Sequence, residues 1–307
     1  MILLCGIPSE PPLASVRRRI EEAGGEYVVF NQRDVADIDI EMCVTAGRVT
    51  GWLTIRGDKF ELERFDGIYL RLMDHRLLPE VRRAAPDARS AAHSMRVHEM
   101  LLAWSEICAA RVVNRPAAMG SNASKPYQAQ LIRNSGFDVP ETLITNDPDL
   151  VREFRQRCGR LVYKSMSGVR SIIRTLEEDD PADLEAIRWC PVQFQRYVEG
   201  IDVRVHTVGT EVFATSIHSD APDYRYAERD TGRAATLQPL NLPDGVVARC
   251  TALAADLGLA VTGIDFRRTR GGAFVCFEVN PCPVFTYYEA ATGQPISTAI
   301  ASYLAGD

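Results

Sequence analysis

The sequence predicts a small α/β unit followed by a larger α+β region. Three observations carry this: strand-like and helix-like stretches alternate over residues 1–112, a turn-rich segment NRPAAMGSNASKP follows near 113–125, and strand patterns dominate from Leu161 onward. With 307 residues, 46% of them hydrophobic and 25% charged, the chain can bury a core shared by two or three lobes.

The first strand is MILLCGI, followed by a helix over Leu13–Ala23, the strand EYVVF and the strand-like runs VTGWLTI and FDGIYLRL. A helix over AAHSMRVHEMLLAWSEIC comes next, because Val97, Met100, Leu101, Trp104 and Cys108 recur at spacings of three and four. After the strand RVVN and the turn segment come the helix YQAQLIRNSG, an extended VPETLIT, and a helix opened by Asn146-Asp147-Pro148, which supplies an N-cap and a first-turn proline. The strand-rich part then reads LVYKSM, VRSIIRTL, PVQFQRYV, IDVRVHTV and TEVFATSI; the helix VVARCTALAADLG precedes the last strands, VTGIDFRR and AFVCFEVN. No internal repeat or low-complexity segment interrupts this order.

The net charge of -6 is mild and the basic residues form no runs, so nucleic acid is not an expected partner. The opening MILLCGIPSEPP has no basic leader, and no run reaches the ~18 apolar residues of a membrane span; a cytoplasmic protein is expected. Eight cysteines without a C-x-x-C pair read as reduced and structural.

In the last two strands, Gly271-Gly272 signals a two-residue hairpin, which places Asp265 opposite Glu278. Alternation then puts Ile264, Phe266, Val275, Phe277 and Val279 on one face and Asp265, Arg267, Glu278 and Asn280 on the other. Two carboxylates facing each other across a ladder need a positive charge between them. A set of Asp, Glu and Asn oxygens suits Mg²⁺, and Mg²⁺ in turn points to a nucleotide's phosphates. A solvated polar face, or a Glu278–Arg267 pair, is the alternative.

Two lysines answer a phosphate. Lys125 opens a helix, and Lys164 sits inside a strand, where an ammonium needs an anionic partner. Small residues from Ser165 to Ser171, Ser167 and Gly168 among them, could cover phosphates with backbone N–H groups, although a plain turn explains them equally. GSNASKP is not a P-loop, and no dinucleotide fingerprint is present. In FQRYVEGIDVRVH a strand edge followed by Glu199 and Asp202 suits a nucleoside, while Arg204, on the same face as Asp202 and His206, and the loop residue Arg225 suit an anionic oxygen. His206 and His218 are open to a structural or a substrate-touching role, and G-x-S-x-G is absent.

In this order, Lys125, GFDVPETLIT, LVYKSMSG, FQRYVEGIDVRVHTVG, GIDF and FEVNPCP resemble the ATP-grasp ligases. They do so especially in the RimK-like branch, with its ribosomal-protein glutamate ligases and its ligases of graspetide (microviridin-type) peptides. The resemblance implies an ATP-grasp fold behind an N-terminal α/β (preATP-grasp-like) domain: residues 1–112, then a central lobe 113–190 and a C-terminal lobe 191–307. It further implies that Lys125 and Lys164 contact ATP under a lid that includes Ser167 and Gly168, that Gln195, Arg196, Tyr197 and Val198 hold adenine, and that Glu199 or Asp202 takes the ribose. Asp265, Glu278 and Asn280 match the family's magnesium ligands; Arg204, Arg225 and Lys164 would serve the transferred phosphoryl group. The implied reaction joins a carboxylate to an amine or hydroxyl through an acyl phosphate. The expected substrate is a peptide or protein, with a small-molecule amino-acid ligase or a non-catalytic ATP-binding protein as alternatives, and a homo-oligomer is expected. One departure is the run Cys282-Pro283-Val284-Phe285-Thr286-Tyr287-Tyr288, where many members carry a small polar turn.

Overall fold

The computed structural model describes residues 1–79, 82, 88–165, 173–176, 181–221 and 224–307. Strands β1 (Ile2–Gly6) and β2 (Tyr27–Asn31) flank the helix Pro11–Glu22, and β3 (Ile38–Thr45), β4 (Arg48–Ile55) and β5 (Asp58–Glu61) form a separate antiparallel sheet. The chain then returns as β6 (Gly67–Arg71), runs through the helix Ala88–Ile107 and adds β7 (Arg111–Val113), closing a parallel sheet in the order β2-β1-β6-β7. The stripe read from the sequence faces inward: Val97, Leu101 and Trp104 are buried, with Cys108 packed against the same core. Strands β3 and β5 are additions to the sequence reading: in β3 Ile38, Ile40 and Met42 turn to the first core while Asp39 and Glu41 between them are exposed, and in β5 Phe60 packs on the same core.

Counting the parallel sheet as the first and leaving the small β3–β5 sheet unnumbered, the second sheet contains β8 (Thr142–Thr145), β9 (Leu161–Ser165), β10 (Arg174–Thr175) and β11 (Val192–Arg196), ordered β10-β9-β11-β8 around Phe154, Leu161 and Phe194. The helix before β9 starts as its sequence dictates: the Asp147 carboxylate accepts from the Asp149 N–H at 2.9 Å and Pro148 takes the first turn. The rest of the run VRSIIRTL, up to Ile172, lies outside the described residues.

The third sheet is β14-β13-β12-β15-β16, built from β12 (Ile201–Val208), β13 (Glu211–His218), β14 (Thr236–Pro239), β15 (Val261–Arg268) and β16 (Phe274–Asn280). Helices Lys125–Asn134 and Asp244–Asp256 cover one face, where Ile132, Val205, Cys250, Ile264 and Phe266 are buried together. Two placements differ from the expected borders: residues 125–134 pack on the third sheet, and β11, beyond residue 190, belongs to the second.

The helices Thr286–Thr292 and Ile296–Ala305, absent from the sequence reading, return the chain to its start: Ile296, Ile300 and Leu304 share one core with Leu4, Leu13 and Val16. Asn114 bolts the first unit to the third sheet, donating to the carbonyls of Val261 and Pro281 (both 2.6 Å) and accepting from the N–H groups of Ala260 and Val261 (2.7 and 3.0 Å). Among the described residues, no helix is long and apolar enough to cross a membrane.

Candidate active site

The β15–β16 hairpin builds the centre of the site. Asp265 pairs with Glu278 as the diglycine signal required, but by a different route. The turn is longer than two residues: Thr269 and Ala273 close it, with Gly272 at a φ of 84°. That turn pairs Arg268 with Phe274, one residue away from the expected register, and a bulge between Asp265 and Phe266 restores the pairing at Glu278. The extra residue reverses the parity of part of β16. Phe274 and Cys276 enter the core, whereas Val275 and Phe277, expected there, do not. Phe277 instead lies under the Arg267 guanidinium, 5.9 Å from its ring centre.

Each carboxylate has its own cations. Lys125 Nζ stands 3.3 Å and Lys164 Nζ 3.7 Å from Glu278 Oε2, so a helix start and a mid-strand lysine meet on one group. Arg204 Nη1 binds Asp265 Oδ1 at 2.7 Å from the neighbouring strand β12. The alternative Glu278–Arg267 pair is overturned: Arg267 donates to Asp202 Oδ1 at 2.6 and 2.8 Å and to the Val198 carbonyl at 3.0 Å. Burial alone would raise the Glu278 carboxyl, but the two ammonium groups hold it below the usual glutamate range. Burial pushes the Lys164 ammonium down, Glu278 opposes it and the neighbouring Lys125 adds to the fall. Burial would likewise lower Arg204, yet Asp265 beside it keeps the guanidinium strongly cationic.

Asn280 closes the strand, its Oδ1 accepting the Cys282 N–H at 2.9 Å. Among the described residues no three His, Cys, Asp or Glu side chains form a metal-holding group. Asp265, Glu278 and the Asn280 amide offer a hard, oxygen-only set, two carboxylates and a carbonyl, which fits a magnesium ion that completes its shell with phosphate and water.

A cavity of about 510 Å³ is lined by Arg160, Tyr197, Asp202, Arg267, His218 and Asp220 among others, and its lining does not include Asp265 or Glu278. Two guanidinium groups lie over the Tyr197 ring, Arg160 at 4.1 Å and Arg267 at 5.5 Å from its centre. Of the two acids offered for a ribose, Asp202 lines the cavity and Glu199 does not; Glu199 is exposed and pairs with Arg270 at 2.7 Å. The Gln195 side chain is buried against Thr142, and Arg196 points outward to Glu141, so neither side chain joins the Lys125–Lys164–Glu278 cluster. Ser167 and Gly168 lie outside the described residues; Arg225 falls in the short turn Tyr224–Tyr226, and its side chain lies outside them too.

Of the two roles open to His206, its surroundings favour the structural one. It is wholly buried, its Nε2 faces Arg204 Nε at 3.4 Å, and burial with Arg204 alongside keeps the imidazole well below the usual histidine range. Two further residues matter to which the sequence reading gave no role. Gln128, one turn into the Lys125 helix, ties that helix to Val279 beside Glu278, and Tyr288 stacks under Arg204 at 5.7 Å. A glutamine three residues after Lys125 carries no local signal, and neither does a tyrosine beyond the last strand.

No family model matches the chain. It is 30% identical over 210 residues to a probable alpha-L-glutamate ligase of Sodalis glossinidius, covering 65% of this chain and 70% of that protein. Over the first curated relatives it matches, the chain spans 66% of their length. The solved ATP-grasp ligase PsnB, complexed with minimal precursor, Mg and ADP, superposes with a TM-score of 0.79 at 27% identity, covering 99% of this chain and 97% of that one. A Chryseobacterium gregarium RiPP-associated ATP-grasp ligase, in complex with ADP and a leader and core peptide, reaches 0.83 at 21% identity over 99% and 96% of the two chains and shares the fold. With the paired carboxylates, their lysines and the four-sheet architecture, these matches are decisive: the chain belongs to the ATP-grasp ligases, in the RimK-like branch of the alpha-L-glutamate ligases.

Proposed function

We propose that the protein is an ATP-dependent ligase that activates a carboxylate as an acyl phosphate and transfers the acyl group to an amine or hydroxyl of a peptide or protein substrate. One observation carries this reading: Lys125 and Lys164 converge on Glu278 directly across the ladder from the Arg204–Asp265 pair. The peptide character of the substrate is supported by the likeness to PsnB, whose structure holds a precursor.

Carboxylates are poor acyl donors because oxide is a poor leaving group. In the proposed reaction a carboxylate oxygen attacks the γ-phosphorus, the β–γ bridging oxygen leaves with ADP, and the acceptor then attacks the acyl carbon and expels phosphate. The chain positions and neutralises. Lys125 and Lys164 exchange their shared carboxylate for phosphate oxygens, Arg204 and Arg225 hold the oxygens of the moving phosphoryl group, and Ser167 and Gly168 cover them. Asp202, held by Arg267, receives the ribose hydroxyls. The backbone of 195–198 receives adenine. A bound magnesium ion supplies charge neutralisation at the phosphates, and Asp265, Glu278 and Asn280 would hold it.

Hydroxylamine trapping tests the reading, because an acyl phosphate reacts with it to give a stable hydroxamate. With ATP, MgCl₂ and glutamate-rich peptides or free L-glutamate as carboxylate probes, hydroxamate is expected in step with ADP. A protein that binds neither MgATP nor MgADP in a calorimeter would overturn the proposal, and a product from free L-glutamate alone would move the substrate class to small molecules.

A further inference from the structure

Arg204 is seated more tightly than an ion pair with Asp265 requires. Its side chain is only 6% exposed. Asp265 takes one end of the guanidinium at 2.7 Å, His206 Nε2 receives the Nε–H at 3.4 Å, and the Tyr288 ring lies beneath at 5.7 Å. Opposite, Gly263 leaves room: a Cβ there would stand 2.0 Å from Arg204 Nη2 and 2.5 Å from Cζ. The seat is itself braced, since His206 meets Tyr288 edge-on at 5.0 Å and the Tyr288 hydroxyl is 2.6 Å from that of Tyr224, next to Arg225 in the chain.

The histidine is the telling member. Next to a buried guanidinium only a neutral imidazole is tolerable, and with Nε2 as acceptor its proton sits on Nδ1. Among the described residues Nδ1 has no hydrogen-bond partner. A leucine would avoid that unsatisfied buried donor. What a histidine adds is a lone pair aimed at Arg204 Nε, which fixes the guanidinium's rotation as the carboxylate alone cannot.

We propose that His206, Tyr288 and Gly263 are positioning residues that hold Arg204 at a single angle toward the oxygens of the transferring phosphoryl group. The proposal rests on the role given to Arg204 under the proposed function. Charge placed before the reaction needs no reorganisation during it, so the seat acts on the transition state and not on ground-state nucleotide.

The test compares calorimetric affinity for MgADP alone with affinity for MgADP plus aluminium fluoride, which mimics the phosphoryl group in flight. Wild-type protein is expected to bind the second combination more tightly. His206→Leu and Tyr288→Leu are expected to lose at least tenfold of that tightening while MgADP affinity stays within twofold, and Gly263→Ala to behave alike. His206→Gln, which restores an acceptor, and Tyr288→Phe, which keeps the ring, are expected to retain most of it. The two series are independent, so a folding failure in one leaves the other to decide, and unchanged MgADP affinity reports a folded site. Wild-type tightening in both leucine variants, with loss in Arg204→Ala, overturns the seat while leaving the role of Arg204 standing. Wild-type tightening in Arg204→Ala overturns that role, and the seat with it.

Discussion

The side-chain amide of Gln128 exchanges two hydrogen bonds with the backbone of Val279, donating to its carbonyl at 2.8 Å and accepting from its N–H at 3.0 Å. Strand β16 is an edge strand, so Gln128 does there what a further strand would do. It also sets the distance between Lys125, three residues before it, and Glu278, the neighbour of Val279. Gln128→Leu leaves both Val279 groups buried without partners, at a cost of about 3 kcal/mol. Urea unfolding is expected to show that loss along with weakened MgADP binding; a change under about 0.5 kcal/mol would remove Gln128 from this role.

Lys164→Ala is expected to weaken MgATP at least tenfold by calorimetry, because its ammonium, 12% exposed, shares the Glu278 carboxylate with Lys125 and a phosphate completes its pairing. Unchanged affinity would take the lysine out of the nucleotide site.

Glu278→Gln is expected to abolish ATP turnover with the fold intact by circular dichroism. In the wild type, chelating magnesium with EDTA is expected to weaken ATP binding, and in the variant to change it little, because the carboxylate that would hold the ion is gone. Equal sensitivity to EDTA in both proteins would refute the metal assignment.

Asp202 lines the cavity with Arg267 holding its carboxylate, an arrangement suited to accepting hydrogen bonds from a ribose. Asp202→Ala is expected to lower affinity for ATP more than for 2′-deoxy-ATP. A variant that still discriminates between the two as the wild type does would place the ribose elsewhere.

His206 makes the protein's stability depend on pH in a defined direction. Its folded pKa lies well below the ordinary value, so well above the ordinary pKa of about 6.5 the group is neutral in both states and contributes no slope. Below that, the unfolded imidazole binds a proton that the folded one refuses, and stability falls by about 1.4 kcal/mol per pH unit until the folded group titrates. Between pH 7.5 and 5.0 the wild type is expected to lose about 2 kcal/mol relative to His206→Gln in urea unfolding. Parallel pH profiles would contradict this.

Element types, the order of the motifs and the opposition of Asp265 and Glu278 were legible in the chain, because alternation, helical spacing and capping are local properties. Alternation failed at Phe277. A longer turn at Thr269–Ala273 and a bulge shift the register by one residue in opposite senses, so the acids still meet while Phe277 changes face.

By itself, then, the sequence determined which groups are present and which strand or helix carries each. Tertiary structure decided their partners: Glu278 with Lys125 and Lys164 and not with Arg267, Asp202 with Arg267, His206 accepting from Arg204, Gln128 on Val279. A side chain's partner depends on segments up to about 150 residues distant that close packing brings within a few ångström, and no local period records that proximity.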